Sequence, residues 1–306
     1  MIADVTAKFA NGCRKVLMQC PTASGKTLIA VLFTKRAAAH RVLYVVPSEE
    51  IFDQTSDKLN ELGVAHTMLY AGTHPDLSKT RVVLAMSQTL IKRTDTALFD
   101  NWQPDLIFLD EIHKFMDQHL AFLNLWPNAY VIGMTASPIR LDGRDIADLT
   151  PYLIIGPSIT ELQRDRFLVP CVTYTGPAPS FEGIPIVNSD YEKKALERKY
   201  MTGKAVKDIV DTWVKRTRGK RTIAFTSGVT ASQRLASAFR AIGVKADHID
   251  ATTPKTVRIE ALQKLRRKEI DVLCNVGLFV EGLDLIETEV IMLCFGTQSL
   301  AKYVQA

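Results

Sequence analysis

The feature that most constrains this chain is Cys20-Pro21-Thr22-Ala23-Ser24-Gly25-Lys26-Thr27. An apolar run over 14–20 precedes it and reads as a buried strand. A helical pattern over 27–39 comes after it. Strand, small-residue loop ending Gly-Lys-Thr, helix is the layout of a phosphate-binding P-loop. Its backbone N–H groups and a helix N-terminus must approach the phosphates closely, which bulky side chains would prevent. Thr22, Ala23, Ser24, Gly25, Lys26 and Thr27 are therefore the candidate nucleotide-binding residues. Lys26 would reach the β- and γ-phosphates of ATP, and the Thr27 hydroxyl would ligate Mg²⁺. The common spacing places a glycine where Cys20 stands. The rival reading is an ordinary strand–turn–helix with a chance Gly-Lys-Thr.

The remainder of the first half of the chain decides between them. Further strand patterns fall at 41–46, 66–70, 81–86, 105–110 and 129–135, with helical patterns between several of them, notably 49–62. Alternation of this kind means a parallel sheet covered by helices. Val42-Leu43-Tyr44-Val45-Val46 and Leu106-Ile107-Phe108-Leu109 are continuously apolar, as central parallel strands buried on both faces require. The fifth strand ends in Asp110-Glu111-Ile112-His113. A carboxylate just past a buried strand, with a P-loop upstream, is a nucleotide-site arrangement. Asp110 would hold Mg²⁺ and Glu111 would polarise the attacking water. With Lys26 and His113 they form the candidate catalytic set.

At 306 residues the chain has room for two domains. Its apolar content of 47% against 23% charged residues indicates a packed soluble protein. The net charge of +5 permits a nucleic-acid partner without demanding one. Five cysteines without C-x-x-C spacing read as reduced residues, with Cys20, Cys274 and Cys294 in the core, so no disulfide or zinc site is expected. No apolar run is long enough for a membrane span, and Met1 to Gly12 lacks the apolar core of a signal peptide. A cytoplasmic protein is expected, in the host cytoplasm if the gene is a phage's.

Pro-Thr-Ala-Ser-Gly-Lys-Thr, then Asp-Glu-Ile-His, then Thr135-Ala136-Ser137 after another strand, resembles the DExH branch of superfamily 2 helicases. The resemblance runs in order over almost the whole chain. Within it, the layout is most similar to phage and restriction-type, UvsW-like DNA helicases of the DEAD/DEAH-box kind. It implies an α/β chain of two tandem RecA-like domains, each a mostly parallel sheet flanked by helices. It also implies that Pro47, Ser48 and Gln54, then Gly72, then Ser87 and Gln88 face nucleic acid. His113, Thr135, Ala136 and Ser137 would couple the nucleotide state to domain closure.

Prolines and glycines punctuate 151–185, where Ser158 and Glu161 have capping-box spacing before a short helix to about Arg166. Val172-Thr173-Tyr174 could be an early strand of the second domain. The expected division is 1–157, a linker region over 158–189, and 190–306. Two helical patterns over 190–217, broken near Thr202-Gly203, carry many cations, and a solvated face explains these slightly better than nucleic acid does. Strands come next at 221–226, 246–250, 271–276 and 290–295, with helices near 230–242 and 254–267. Ile223 to Ser227 and Asn275 to Asp284 resemble motifs IV and V, the latter with a Glu-Gly-x-Asp ending. By that resemblance Thr226, Ser227 and Asn275 face the nucleic-acid backbone, while Gly282 and Asp284 approach the nucleotide.

Two departures stand out. No adenine-reading glutamine motif precedes the P-loop, so selectivity for adenine is open. Gln298 to Ala306 resembles the opening of motif VI, with Gln305 as its leading glutamine and coupling residue, yet the arginines that should come next are absent. The reading is a nucleic-acid-dependent ATPase moving on or remodelling single-stranded or branched DNA, with RNA as the second choice. It uses ATP and Mg²⁺, works as a monomer, and turns over slowly unless a protein partner supplies the missing arginines. The alternatives are a catalytically impaired remnant that still binds ATP and nucleic acid, and a P-loop NTPase acting on something else.

Overall fold

The computed structural model describes residues 1–93, 97–114, 119, 123–136, 150–177, 180–187, 190–200, 202–277 and 287–298. The chain forms two compact units, Met1–Pro170 and Cys171–Ala306.

In the first unit the described elements are α1 (Ile2–Ala10), β1 (Lys15–Gln19), α2 (Lys26–Arg36), β2 (Val42–Val46), α3 (Glu49–Glu61), β3 (Thr67–Leu69), β4 (Val82–Met86), α4 (Ser87–Ile91), β5 (Leu106–Leu109), β6 (Tyr130–Thr135), β7 (Tyr152–Ile155) and α5 (Ile159–Arg164). The strands form one sheet in the order β3-β4-β2-β5-β6-β1-β7, parallel throughout. Alternate side chains leave opposite faces of a strand, so each face builds its own core. Val16, Met18, Tyr44, Leu84, Phe108 and Met134 pack beneath α2 and α3, against Ala30, Val31, Phe52 and Leu59. Leu17, Leu43, Val45, Ile107 and Leu109 meet Trp102, Ile112 and Trp126 on the other side. Both faces are covered, which is why the central strands are apolar at every position.

The second unit holds β8 (Ile186–Val187), β9 (Asp190–Tyr191), α6 (Lys193–Tyr200), α7 (Gly203–Thr217), β10 (Thr222–Thr226), α8 (Val229–Ala241), β11 (Ala246–Ile249), α9 (Lys255–Arg266), β12 (Val272–Asn275) and β13 (Val290–Cys294). Its main sheet runs β11-β12-β10-β13, again parallel, and β8 pairs with β9 as a short antiparallel ribbon. Trp213 of α7 is buried on this sheet. Its indole N–H donates to Thr222 Oγ1 at 2.7 Å, and its ring meets Phe239 of α8 edge-on.

The helix break at 202–203 falls as expected, where the Thr202 hydroxyl accepts the Ala205 N–H and caps α7. Ser158 and Glu161 form the expected capping box at α5. Val172-Thr173-Tyr174, expected as a strand, is irregular and exposed because no described strand pairs with it. One outer strand of the first sheet is β7, which lies against β1. Cys20, Cys274 and Cys294 are buried thiols, as expected.

Candidate nucleotide site and nucleic-acid edge

In a parallel sheet every strand delivers its following loop to the same edge, and ligands bind there. The P-loop leaves β1, Pro47 and Ser48 leave β2, Gly72 comes after β3, Ser87 and Gln88 after β4, Asp110 after β5, and Thr135 ends β6. Strand order then sets who meets whom. β6 lies between β1 and β5, so Thr135 sits between the P-loop and the acidic loop. Its carbonyl accepts the Cys20 N–H at 3.0 Å, and its hydroxyl is 3.0 Å from His113 Nδ1. The residue expected to couple nucleotide to conformation thus bonds to both loops.

The P-loop turns through Gly25 at φ +86°, a left-handed angle that glycine adopts without strain, and Ala23 also has positive φ. A Cβ at Gly25 would meet nothing within 4 Å, so the backbone angle is what asks for glycine. That angle opens α2, whose first residues are Lys26 and Thr27. The Lys26 ammonium donates to the Cys20 carbonyl at 3.3 Å and lies 3.9 Å from Glu111 Oε1. Across β6, the loop lysine and the acidic pair therefore share one site.

Asp110 is buried, and its Oδ1 accepts the Glu111 N–H at 3.0 Å. Burial first, and the neighbouring Glu111 charge second, raise its pKa to about 7, with Lys26 opposing. Burial also raises Glu111, against the pull of Lys26 and Lys114. Two carboxylates held this way, without a full complement of cations, suit a hard divalent ion. Glu111 itself has φ +46°, an uncommon angle for a side-chain-bearing residue. Burial, with the charges of Lys114 and Lys26, lowers His113 to about 4, so it is neutral near pH 7. Its approach to Glu111 Oε2, at 3.5 Å, is consequently a polar contact and not an ion pair. The open loop, the ammonium, the Thr27 hydroxyl, buried Asp110 and half-buried Glu111 fit a phosphate chain with Mg²⁺.

Tyr44 is a participant that sequence reasoning alone misses. Its ring stacks on Phe108 and is fully buried, while burial first, then the nearby Asp110 and Glu111 charges, push the phenol well above its usual range. A phenol inside an otherwise aliphatic strand was the available signal.

The candidate nucleic-acid residues divide by exposure. Gln54, Gly72 and Gln88 are exposed. Pro47 is buried and Ser48 caps α3 by accepting the Ile51 N–H. Ser87 is buried and donates to the Val46 carbonyl at 3.0 Å. In the second unit Thr226 and Asn275 end adjacent strands. The Thr226 hydroxyl donates to the Asn275 carbonyl, and Asn275 Nδ2 donates to the Ala224 carbonyl. Ser227 comes next at the same edge, half-buried. Ala136 is described beside Thr135. Ser137, Gly282, Asp284 and Gln305 lie outside the described residues. Among the described residues no helix is long and apolar enough to cross a membrane.

Residues 1–140 match the family described as Type III restriction enzyme, res subunit, and 203–306 match the Helicase conserved C-terminal domain. The chain is 30% identical over 293 residues to the 51.5 kDa protein of Lactococcus phage (isolate 7-9), covering 94% of this chain and 61% of that protein. It spans 46% to 61% of the length of three curated relatives that it matches. Among solved structures it resembles the ATP-dependent Type ISP restriction-modification enzyme LlaBIII bound to DNA, with a TM-score of 0.69 at 16% identity, over 99% of this chain and 26% of that one. The Mycobacterium smegmatis helicase Lhr, bound to ssDNA and AMP-PNP, gives a TM-score of 0.65 at 16% identity, over 99% and 43%. Both likenesses are of fold.

Proposed function

Because the chain belongs to the superfamily 2 helicases, we propose that it hydrolyses ATP to move on, or remodel, single-stranded or branched DNA. The observation that carries the reading is the meeting of Lys26 with Glu111 beside buried Asp110, at the carboxyl edge of a parallel sheet. ATP with Mg²⁺ supplies the phosphoanhydride and the charge neutralisation. Lys26, already at that edge, would bind the β- and γ-phosphates, and Thr27 and Asp110 would hold Mg²⁺. The Glu111 carboxylate orients the attacking water and accepts its proton. Neutral His113 and Thr135 carry the change at Glu111 toward the P-loop backbone. By the family resemblance Gly282 and Asp284 would contact the nucleotide, and Ser137 and Gln305 would couple its state to conformation.

Nucleic acid is gripped at the sheet edges through phosphates, which suits a motor that must hold every step alike. Pro47, Ser48, Gln54, Gly72, Ser87 and Gln88 contribute from the first unit, and Thr226, Ser227 and Asn275 from the second. Exposed Gln54 and Gln88 support side-chain contact, whereas the buried hydroxyls of Ser87 and Thr226 support a role through backbone placed at the edge. DNA is preferred over RNA because residues 1–140 match a restriction-enzyme subunit family and one structure of similar fold is a restriction-modification enzyme bound to DNA. The protein works as a monomer in the cytoplasm.

Steady-state ATP hydrolysis, with and without single-stranded DNA or RNA, tests this. Stimulation, larger with DNA, is the expected result. Turnover indifferent to both polymers overturns the motor reading, and binding without turnover indicates a binding protein built on the same site.

A further inference from the structure

We propose that the basic face of α6 and α7 is a second nucleic-acid contact, one that takes the duplex arm of a branched substrate; it rests on the nucleic-acid function proposed for the sheet edges. Between residues 193 and 220 the sequence holds ten lysines and arginines against three acids, a larger positive balance than the +5 of the whole chain. On α7, Lys204, Lys207 and Lys215 are exposed at intervals that keep them on one side of the helix, and exposed Arg218 follows as its C-cap residue. Lys207 lies 3.9 Å from Asp211, the acid within this stripe, and among the described residues no acid pairs with the other three. Spaced at ~1.5 Å per residue, the stripe is about 20 Å long. Duplex DNA presents one charge per ~1.7 Å of axis, so the stripe spans roughly six base pairs.

Its placement matters as much as its charge. α7 runs back along β10, with Trp213 fastened to Thr222 at the start of that strand, so the Lys204 end lies toward the strand's carboxyl end. α6 is pinned at the same end. Its Glu197 carboxylate accepts the Ala231 N–H in the first turn of α8, immediately after Thr226 and Ser227. The stripe therefore begins beside the proposed strand-binding edge and leads down the flank of the unit. A solvated helix face would need no such continuity.

The test uses the full chain with Lys204, Lys207, Lys215 and Arg218 all changed to Gln, measured by fluorescence anisotropy on a short single strand and on a fork with a duplex arm. The variant should bind the fork at least tenfold more weakly at moderate salt. Its log–log salt slope on the fork should fall by about 3 to 4, at ~0.9 for each phosphate no longer neutralised. Affinity for the short strand, and its stimulation of ATP hydrolysis, should stay at the parent's level. Asp211→Asn is the companion variant, expected to tighten fork binding without touching the core. An unchanged fork affinity and slope overturn the proposal, as does equal weakening on both substrates. A parent that binds no nucleic acid at all would instead remove the reading on which the proposal stands.

Discussion

Glu111 combines a left-handed backbone angle, burial and a raised pKa in one residue, and its neighbours explain each. Asp110 caps its N–H, Lys26 faces its carboxylate, and the next residue bonds to β6 through Ile112 N–H to the Met134 carbonyl at 3.0 Å. Glu111→Gln should bind ATP about as tightly as the parent and lose turnover by roughly 100-fold or more, trapping a nucleic-acid-bound state; weak nucleotide binding would make the residue structural. Lys26→Ala should abolish hydrolysis while leaving the unfolding midpoint close to the parent's, because the ammonium touches loop carbonyls and not the core. Asp110 gives a pH test. Its folded pKa, about 7, lies above that of an unfolded aspartate. Its contribution to stability is therefore complete below pH ~4 and is lost as pH rises through 7. Metal-free Asp110→Asn should accordingly be more stable than the parent at pH 8 and converge with it toward pH 4. His113 acts in the opposite sense, losing its contribution as pH falls from 6.5 through about 4, so variant and parent are compared at each pH. Urea midpoints in EDTA across pH 4–8 decide the matter, and parallel curves would reject the raised carboxyl.

Among the elements, those with strong local signals were legible. β2 and β5 are unbroken apolar runs, and the P-loop and Asp110 announce themselves by standing directly after buried strands. β7 was not legible. Tyr152-Leu153-Ile154-Ile155 lies between Pro151 and Gly156-Pro157, which read as linker punctuation, and as an outer strand it buries only Ile154. What makes it a strand is pairing with β1, a contact no local pattern reveals. Val172-Thr173-Tyr174 shows the converse, strand-forming residues left without a partner strand among the described residues. The sequence also could not tell that Thr226 and Asn275 would turn inward, since that depends on β10 and β12 being neighbours. Gly133 in β6 is another tertiary requirement. A Cβ there would collide with Ile112 Cδ1. Gly133→Ala should cost roughly 1–3 kcal/mol by overpacking and slow hydrolysis by moving the acidic loop. Adding Ile112→Val should restore much of both, read by denaturant midpoint and turnover, whereas a fully active, equally stable single variant would show that Ile112 yields freely.

For the whole molecule, two units with separate cores predict separable behaviour. Residues 1–170 expressed alone should fold cooperatively and bind nucleotide, yet lack DNA-stimulated turnover, because the proposed function assigns part of the site to the second unit. Stimulation in the isolated unit, measured with the same strand, would refute that division. The strand order has a consequence for how the molecule is made. β1 is sandwiched between β6 and β7, with Val16 opposite Ile132 and Tyr152. It emerges from the ribosome early but has no strand to join until β6 and β7, far along the chain, have been synthesised. Contacts so distant in sequence form slowly. Pairs such as β2 with β4 can assemble sooner, leaving the nucleotide loop among the last parts to gain shape. During synthesis the nascent chain would thus carry an apolar, unpaired β1 for many seconds, the interval in which a chaperone has most to protect.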